Sequence, residues 1–203
     1  MARKALQVRR EELLRAAVAQ IERRGIAATR IADVAAALRV SPALVLYHFQ
    51  SKEQLIAQAF AYAAERDLER LDGARAAGGD VVARLRAVLR LYAPAGRAKG
   101  WTLWIESWSA ALRDPGLRKV AQALDLRWKG ALAELIGEGV AGGEFRCPDP
   151  RAAAWRITAF LDGLAVQLVV RRDALSQEEL QAWLYDRVAA EVGVDRAALG
   201  PVD

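Results

Sequence analysis

The chain has 203 residues, 54% hydrophobic and 27% charged, with a single cysteine and a formal net charge of +5. That length suits one compact unit, or a small domain fused to a larger one. The lone Cys147 excludes an internal disulfide framework and gives no cysteine metal cluster. No segment approaches 18 uninterrupted apolar residues and no charged, apolar leader opens the chain, so neither a membrane span nor a secretory signal is expected and the cytoplasm is the expected compartment.

Helix signatures follow one another with short breaks, and no alternating strand pattern competes with them. Residues 6–23 gather Leu6, Leu13, Leu14, Ala17, Val18 and Ile21 on one side of a helix that Gly25 ends. Thr29 can cap a short helix carrying Ile31, Val34, Ala35 and Leu38. Ser41-Pro42 is a cap followed by a proline at the first helical position, starting a second short helix that reaches about Phe49. Ser51 with Gln54 three residues on starts a longer helix, through Leu55, Ile56 and Phe60 to about Leu71.

Beyond the Gly78-Gly79-Asp80 break, Val81, Leu85, Val88, Leu89 and Tyr92 mark the next helix, and Pro94 to Gly100 reads as another break. A Trp-rich helix covers Trp101 to about Leu112, and Asp114-Pro115-Gly116 is a turn. Leu117, Val120, Leu124, Trp128, Leu132 and Leu135 then form a stripe of period near 3.6. Gly137 to Pro150 reads as the longest irregular stretch. Residues 151–172 and 177–191 are the last two long helices. The expectation is an all-α protein of about nine helices: a three-helix N-terminal domain over residues 1–55, then a larger helical bundle over 56–203.

Charge divides the chain at the same place. Residues 1–55 carry ten Lys and Arg against five Asp and Glu, whereas residues 56–203 carry twenty of each. A positive field confined to the N-terminal segment steers toward polyanions. The two short helices joined across Leu38 to Ser41 have the length and spacing of a helix-turn-helix, whose second helix presents a convex face narrow enough for a major groove. Leu44 or Val45, together with Phe49, can pack inward and leave the other positions outside.

The run Gly25, Thr29, Ile31, Asp33-Val34-Ala35, Val40-Ser41, His48-Phe49, Ser51-Lys52-Glu53 and Leu55 resembles the N-terminal DNA-binding domain of the TetR family of transcriptional regulators. Gly143-Glu144-Phe145, Asp149-Pro150 and Asp162-Gly163-Leu164 look like its BetI-type subgroup. The resemblance implies double-stranded operator DNA as a partner. Thr29, Tyr47, His48 and Lys52 are then expected at phosphates, assisted by the amide end of the helix at Ser41. Pro42, Ala43 and Leu44 are expected at base edges, where short apolar groups can meet thymine methyls, with Arg30 and Arg39 flanking. Two departures stand out. Arg39 occupies a tight-turn position where the family often has glycine, and Leu46 stands where it often has a phosphate-contacting tyrosine.

The neutral remainder holds all six tryptophans. Trp101, Trp104 and Trp108 share one helix face and, with Tyr92, Trp128 and Phe160, can pack a core or line an apolar pocket to which Glu106 and Asp162 lend polar groups. By the resemblance, that pocket takes a small-molecule effector. The run from Ile157 to Val170 is apolar on most sides and needs cover on most sides. With residues 177–191 it is expected to form a homodimer interface, over about 151–191, as in the family. An enzyme is not expected. The one histidine sits in the basic stretch, no His, Cys, Asp or Glu cluster has ligand spacing, and no cofactor or metal is called for. The expected activity is regulation of transcription, most simply repression, relieved when an effector alters the spacing of the two DNA-reading helices.

Overall fold

A computed structural model describes residues 2–92, 99–171 and 176–200, with side chains described over 9–91, 100–171, 176 and 178–200. The break expected at Pro94 falls largely outside the described residues, as do the side chains of Leu6 and Tyr92. Among the described residues every regular element is a helix: α1 (Ala2–Ala28), α2 (Ile31–Ala37), α3 (Pro42–Phe49), α4 (Lys52–Ala76), α5 (Val81–Tyr92), α6 (Lys99–Ala111), α7 (Pro115–Gly142), α8 (Pro150–Val170), α9 (Gln177–Val192) and α10 (Arg196–Leu199). The all-α architecture is as expected, with one short C-terminal helix more than the sequence pattern showed.

The chain divides into two compact units. One unit comprises residues 1–66 with 102–124; the other comprises 67–101 with 125–203. Helices α4, α6 and α7 therefore each contribute to both units. The reason is helix length: α4 and α7 run 25 and 28 residues, longer than a small core can cover.

In the first unit, Leu13, Ala17 and Ile21 of α1, Val34 of α2, Val45 and Phe49 of α3 and Leu55 and Phe60 of α4 are all buried. Burying each of these side chains other than Ala17 stabilises by roughly 1.5–3 kcal/mol relative to exposure. Polar links hold α1 against α4. Arg15 Nε donates to the Tyr62 hydroxyl at 3.0 Å, and that hydroxyl donates to Glu11 at 3.2 Å. The Arg15 guanidinium and the Tyr62 hydroxyl hold the Glu11 carboxyl below its usual range. At Gly25, φ is 79° and ψ 162°, so α1 is broken there and resumes for a single turn to Ala28.

In the second unit α8 and α9 pack together. Arg156 near the start of α8 makes a bidentate pair with Glu191 at the end of α9, at 2.6–2.9 Å, so the two helices run antiparallel. Asp149 caps α8 by accepting from the Ala152 amide at 2.9 Å, with Pro150 at the first helical position. Ser176 and Glu179 cap α9 reciprocally. By length and composition alone α8 could cross a membrane. Its inner face, with Ile157, Leu161 and Leu164, is buried in the unit, which makes it a bundle helix.

The stretch expected to be irregular from Gly137 is helical as far as Gly142. Neither Gly137 nor Gly139 has a positive φ, and the reversal comes at Gly143, where φ is 83°. The amides of Glu144 and Phe145 return to the carbonyl of Gly139 at 2.9 and 3.0 Å, folding the Phe145 ring onto that glycine. This gives the Gly143-Glu144-Phe145 run a structural purpose: it stops α7 and buries Phe145 in one step.

Candidate nucleic-acid interface and aromatic cluster

Helices α2 and α3 turn through 113° across the four residues between them, inside the range of a helix-turn-helix. Two residues make the turn. Arg39 takes φ 54°, the left-handed conformation that favours glycine, and the Val40 amide returns to the Ala35 carbonyl at 3.0 Å. Ser41 then caps α3 by accepting from the Leu44 amide at 3.2 Å.

Val45 and Phe49 anchor α3 to the core, which settles its rotation. Ser41, Pro42, Ala43, Leu46 and Tyr47 face outward, with Tyr47 72% and Leu46 42% exposed. Leu44, expected at base edges, is half-buried, and Leu46 takes the outward position instead. Its spacing of four from Pro42 was the signal available in the sequence. Arg30 and Arg39 are both exposed at the ends of α2.

The residues expected at phosphates separate. Tyr47 is open. Thr29 is not: it is 1% exposed, and its hydroxyl donates to the carbonyl of Gly25 at 2.8 Å, so it fixes the α1–α2 junction from inside. Lys52 donates from Nζ to the Ala27 carbonyl at 3.0 Å, placing its cation at the C-terminal end of α1, where the helix dipole favours it. His48 is half-buried, with Tyr47 edge-on at 5.4 Å and Phe49 tilted at 6.2 Å. Its Nε2 is buried without a hydrogen bond, so a phosphate contact by that atom requires the ring to move.

Helix α6 belongs partly to the same unit. Its buried stripe is Leu103, Ser107 and Ala111, flanked by half-buried tryptophans. Trp104 meets the Phe60 ring edge-on at 4.8 Å and the Trp108 ring at 5.9 Å. Phe60 was not foreseen as part of this cluster. Trp101, Trp128, Phe160 and Asp162 belong to the second unit, Trp128 buried and the other three half-buried. Ser107 is fully buried, and its hydroxyl has no hydrogen-bond partner.

Glu106 was expected beside the tryptophans, and the structure turns it elsewhere. Two residues along a helix rotate a side chain by about 200°, which sends Glu106 to the side of α6 away from Trp104 and Trp108. There its Oε2 accepts from the Ile26 amide at 2.9 Å. That amide opens the last turn of α1 after the break and would otherwise be an orphan donor. Gly25 is shaped to the same contact, because a Cβ there would stand 3.1 and 3.2 Å from the two carboxylate oxygens.

Residues 13–59 match the tetR family of bacterial regulatory proteins, and residues 81–193 match the BetI-type transcriptional repressor, C-terminal, family. This chain belongs to the TetR family. The helix-turn-helix just described lies within the first match, and α5 through α9 span the second. The HTH-type transcriptional regulator BetI of Paraburkholderia xenovorans (strain LB400) is 29% identical over 180 residues, covering 85% of each chain. Among solved structures, a transcriptional regulator from Saccharomonospora viridis in complex with choline superposes with a TM-score of 0.83 at 27% identity, covering 92% of this chain and 98% of that one. A TetR-family regulator from Rhodococcus sp. gives 0.78 at 26% identity, covering 91% and 98%. Fold and family are those of DNA-binding regulators rather than of enzymes.

Proposed function

We propose that this TetR-family chain is a repressor that binds a palindromic operator as a homodimer and releases it when a small effector with apolar or aromatic surface binds. The observation that carries the reading is the outward face of α3, held at 113° to α2 in the segment that bears the chain's whole positive excess. A single module of this size makes few contacts, whereas a two-fold dimer spans half-sites about 34–36 Å apart or a multiple of that.

The dimer is supported by the apolar surface left on the last long helices. Trp155, Ala159, Gly163 and Val170 stand exposed along α8, with Trp155 44% exposed, and Trp183 of α9 is 45% exposed. A stripe of that kind calls for cover, and a second copy meeting it through residues 151–191 supplies it.

For the effector class, the relative crystallised with choline points to quaternary ammonium compounds. Aromatic faces attract such cations through their quadrupoles, and the half-buried Trp104 and Trp108 rings, backed by the buried Phe60, are the candidates. The mechanical link then runs along α6 as well as α4. The tryptophans lie on one side of α6, and Glu106 on the other holds the backbone where α1 leads into α2. An effector that favours another placement of α6 shifts the population away from the DNA-competent spacing.

The test is DNase I protection on DNA flanking the gene, at several salt concentrations, with and without choline. The expected result is a protected palindrome whose affinity falls with salt, lost on adding choline and kept on adding 3,3-dimethyl-1-butanol, its uncharged isostere. A folded protein without salt-dependent binding to any duplex overturns the regulator reading. Protection indifferent to choline overturns the effector class alone.

A further inference from the structure

From Pro42 to Leu46 the outward side of α3 shows solvent no hydrogen-bonding side chain; the first such group is the Tyr47 hydroxyl. Pro42, Ala43 and Leu46 are all exposed and occupy an arc of about 100° at the helix N-terminal end, the end that reaches base edges in helix-turn-helix proteins. The polar neighbours stand at the edges of the arc rather than within it. The Ser41 hydroxyl oxygen accepts from the Leu44 amide. Arg30 and Arg39 stand outside α3, at the cap of α2 and in the turn. Tyr47 lies at the flank of the arc, one residue beyond Leu46.

We infer that the Pro42, Ala43 and Leu46 arc reads thymine methyl groups. In the major groove guanine offers acceptors, cytosine a donor and adenine one of each, while thymine alone adds an apolar group, the C5-methyl. An apolar arc pressed on a guanine, cytosine or adenine edge excludes water from donors and acceptors it cannot replace, which is unfavourable. Against thymine it buries a methyl on each side of the contact. The operator half-site therefore carries thymines at the positions α3 covers, and Leu46, standing where the family often has tyrosine, is a specificity-determining residue rather than a backbone contact. The inference rests on the operator reading above and names what that surface recognises.

The test uses the full chain and a randomised duplex library. Selected sequences are expected to share thymines in each half-site, and replacing those thymines by deoxyuridine, which removes only the methyl, is expected to weaken binding about fourfold per methyl, the effect of one buried CH2-sized group. Leu46→Ala, at an exposed position that leaves the core intact, is expected to bind more weakly and to lose most of the uracil effect at its own contact. Three results overturn the inference. Uracil operators bound as tightly as thymine operators would do so while leaving the operator reading in place. So would a consensus of invariant G·C pairs under α3. A library from which nothing is enriched, with no salt-dependent binding, removes the operator reading and this inference with it.

Discussion

Replacing Glu106 by alanine removes one carboxylate from α6 and leaves the Ile26 amide without its 2.9 Å acceptor. A hydrogen bond with a charged partner is worth about 1.5–3 kcal/mol when buried. Glu106 is half-exposed, so water can take part of its place, and about 1–1.5 kcal/mol is the expected loss. For a chain of this size each kcal/mol moves the melting temperature by roughly 2–4 °C, so Glu106→Ala should melt about 2–6 °C lower. Glu106→Gln keeps an acceptor without the charge and should fall between the two. The same substitutions loosen the α1–α2 junction, so operator affinity should drop in the same order, alanine below glutamine below wild type. Thermal denaturation followed by circular dichroism, paired with fluorescence-anisotropy titration of operator DNA, reads both. If Glu106→Ala melts with wild type and binds operator equally well, the carboxylate does not hold the junction, and α6 has no grip on the DNA-reading helices through it.

Arg39→Gly should stabilise. A left-handed non-glycine residue costs about 1–2 kcal/mol, glycine returns about 0.4–1 kcal/mol of that through the unfolded chain, and a net gain of roughly 0.5–1 kcal/mol in urea denaturation is expected at this position, whose φ is 54°. If Arg39 also touches a phosphate, the salt slope of operator binding shrinks by about one. Two glycines of α7 should behave oppositely. Gly139→Ala drives a Cβ into the Phe145 ring and should cost about 1–3 kcal/mol, while Gly137→Ala, with open space around it, should gain up to about 1 kcal/mol; equal shifts in the two melts would show that the Phe145 packing is wrong. Acid should weaken the α8–α9 pair. Hydrogen bonds from Arg156, with Arg187 nearby, hold the Glu191 carboxyl below its ordinary value of 4.5, so its contribution is full above that pH and is lost as pH falls through the lower folded-state value. Glu191→Gln should flatten the pH dependence of stability below about pH 4.5, and an unchanged acid limb would remove that pair from the account.

Much of the reading helix was legible because its signals are local. A serine followed by proline caps a helix start wherever it falls, and α3 begins at Pro42 with Ser41 as its cap. The break at Gly25 was legible for the same reason, since the conformation there suits glycine alone. The end of α7 was misplaced because glycine is ambiguous in a helix: Gly137 and Gly139 read as breakers, yet Gly139 is small so that the Phe145 ring can lie against the helix. Thr29 misled in another way. Its side chain can face out or in, and only the position of the Gly25 carbonyl decides that it faces in.

Glu106 shows where local reading ends. Its partner is 80 residues away in sequence, and no spacing rule within α6 could name it. Helix rotation did hold half the answer, since a residue two places from Trp104 and two from Trp108 points away from both. What rotation could not give is the donor on the far side. That donor exists because Gly25 breaks α1 and frees the Ile26 amide, and because residues 102–124 fold with the N-terminal helices rather than with the rest of the bundle. A boundary drawn at residue 55 by charge separates the two halves of this contact. The compact unit reunites them, putting one helix in touch with an aromatic cluster on one side and with the entry to the helix-turn-helix on the other.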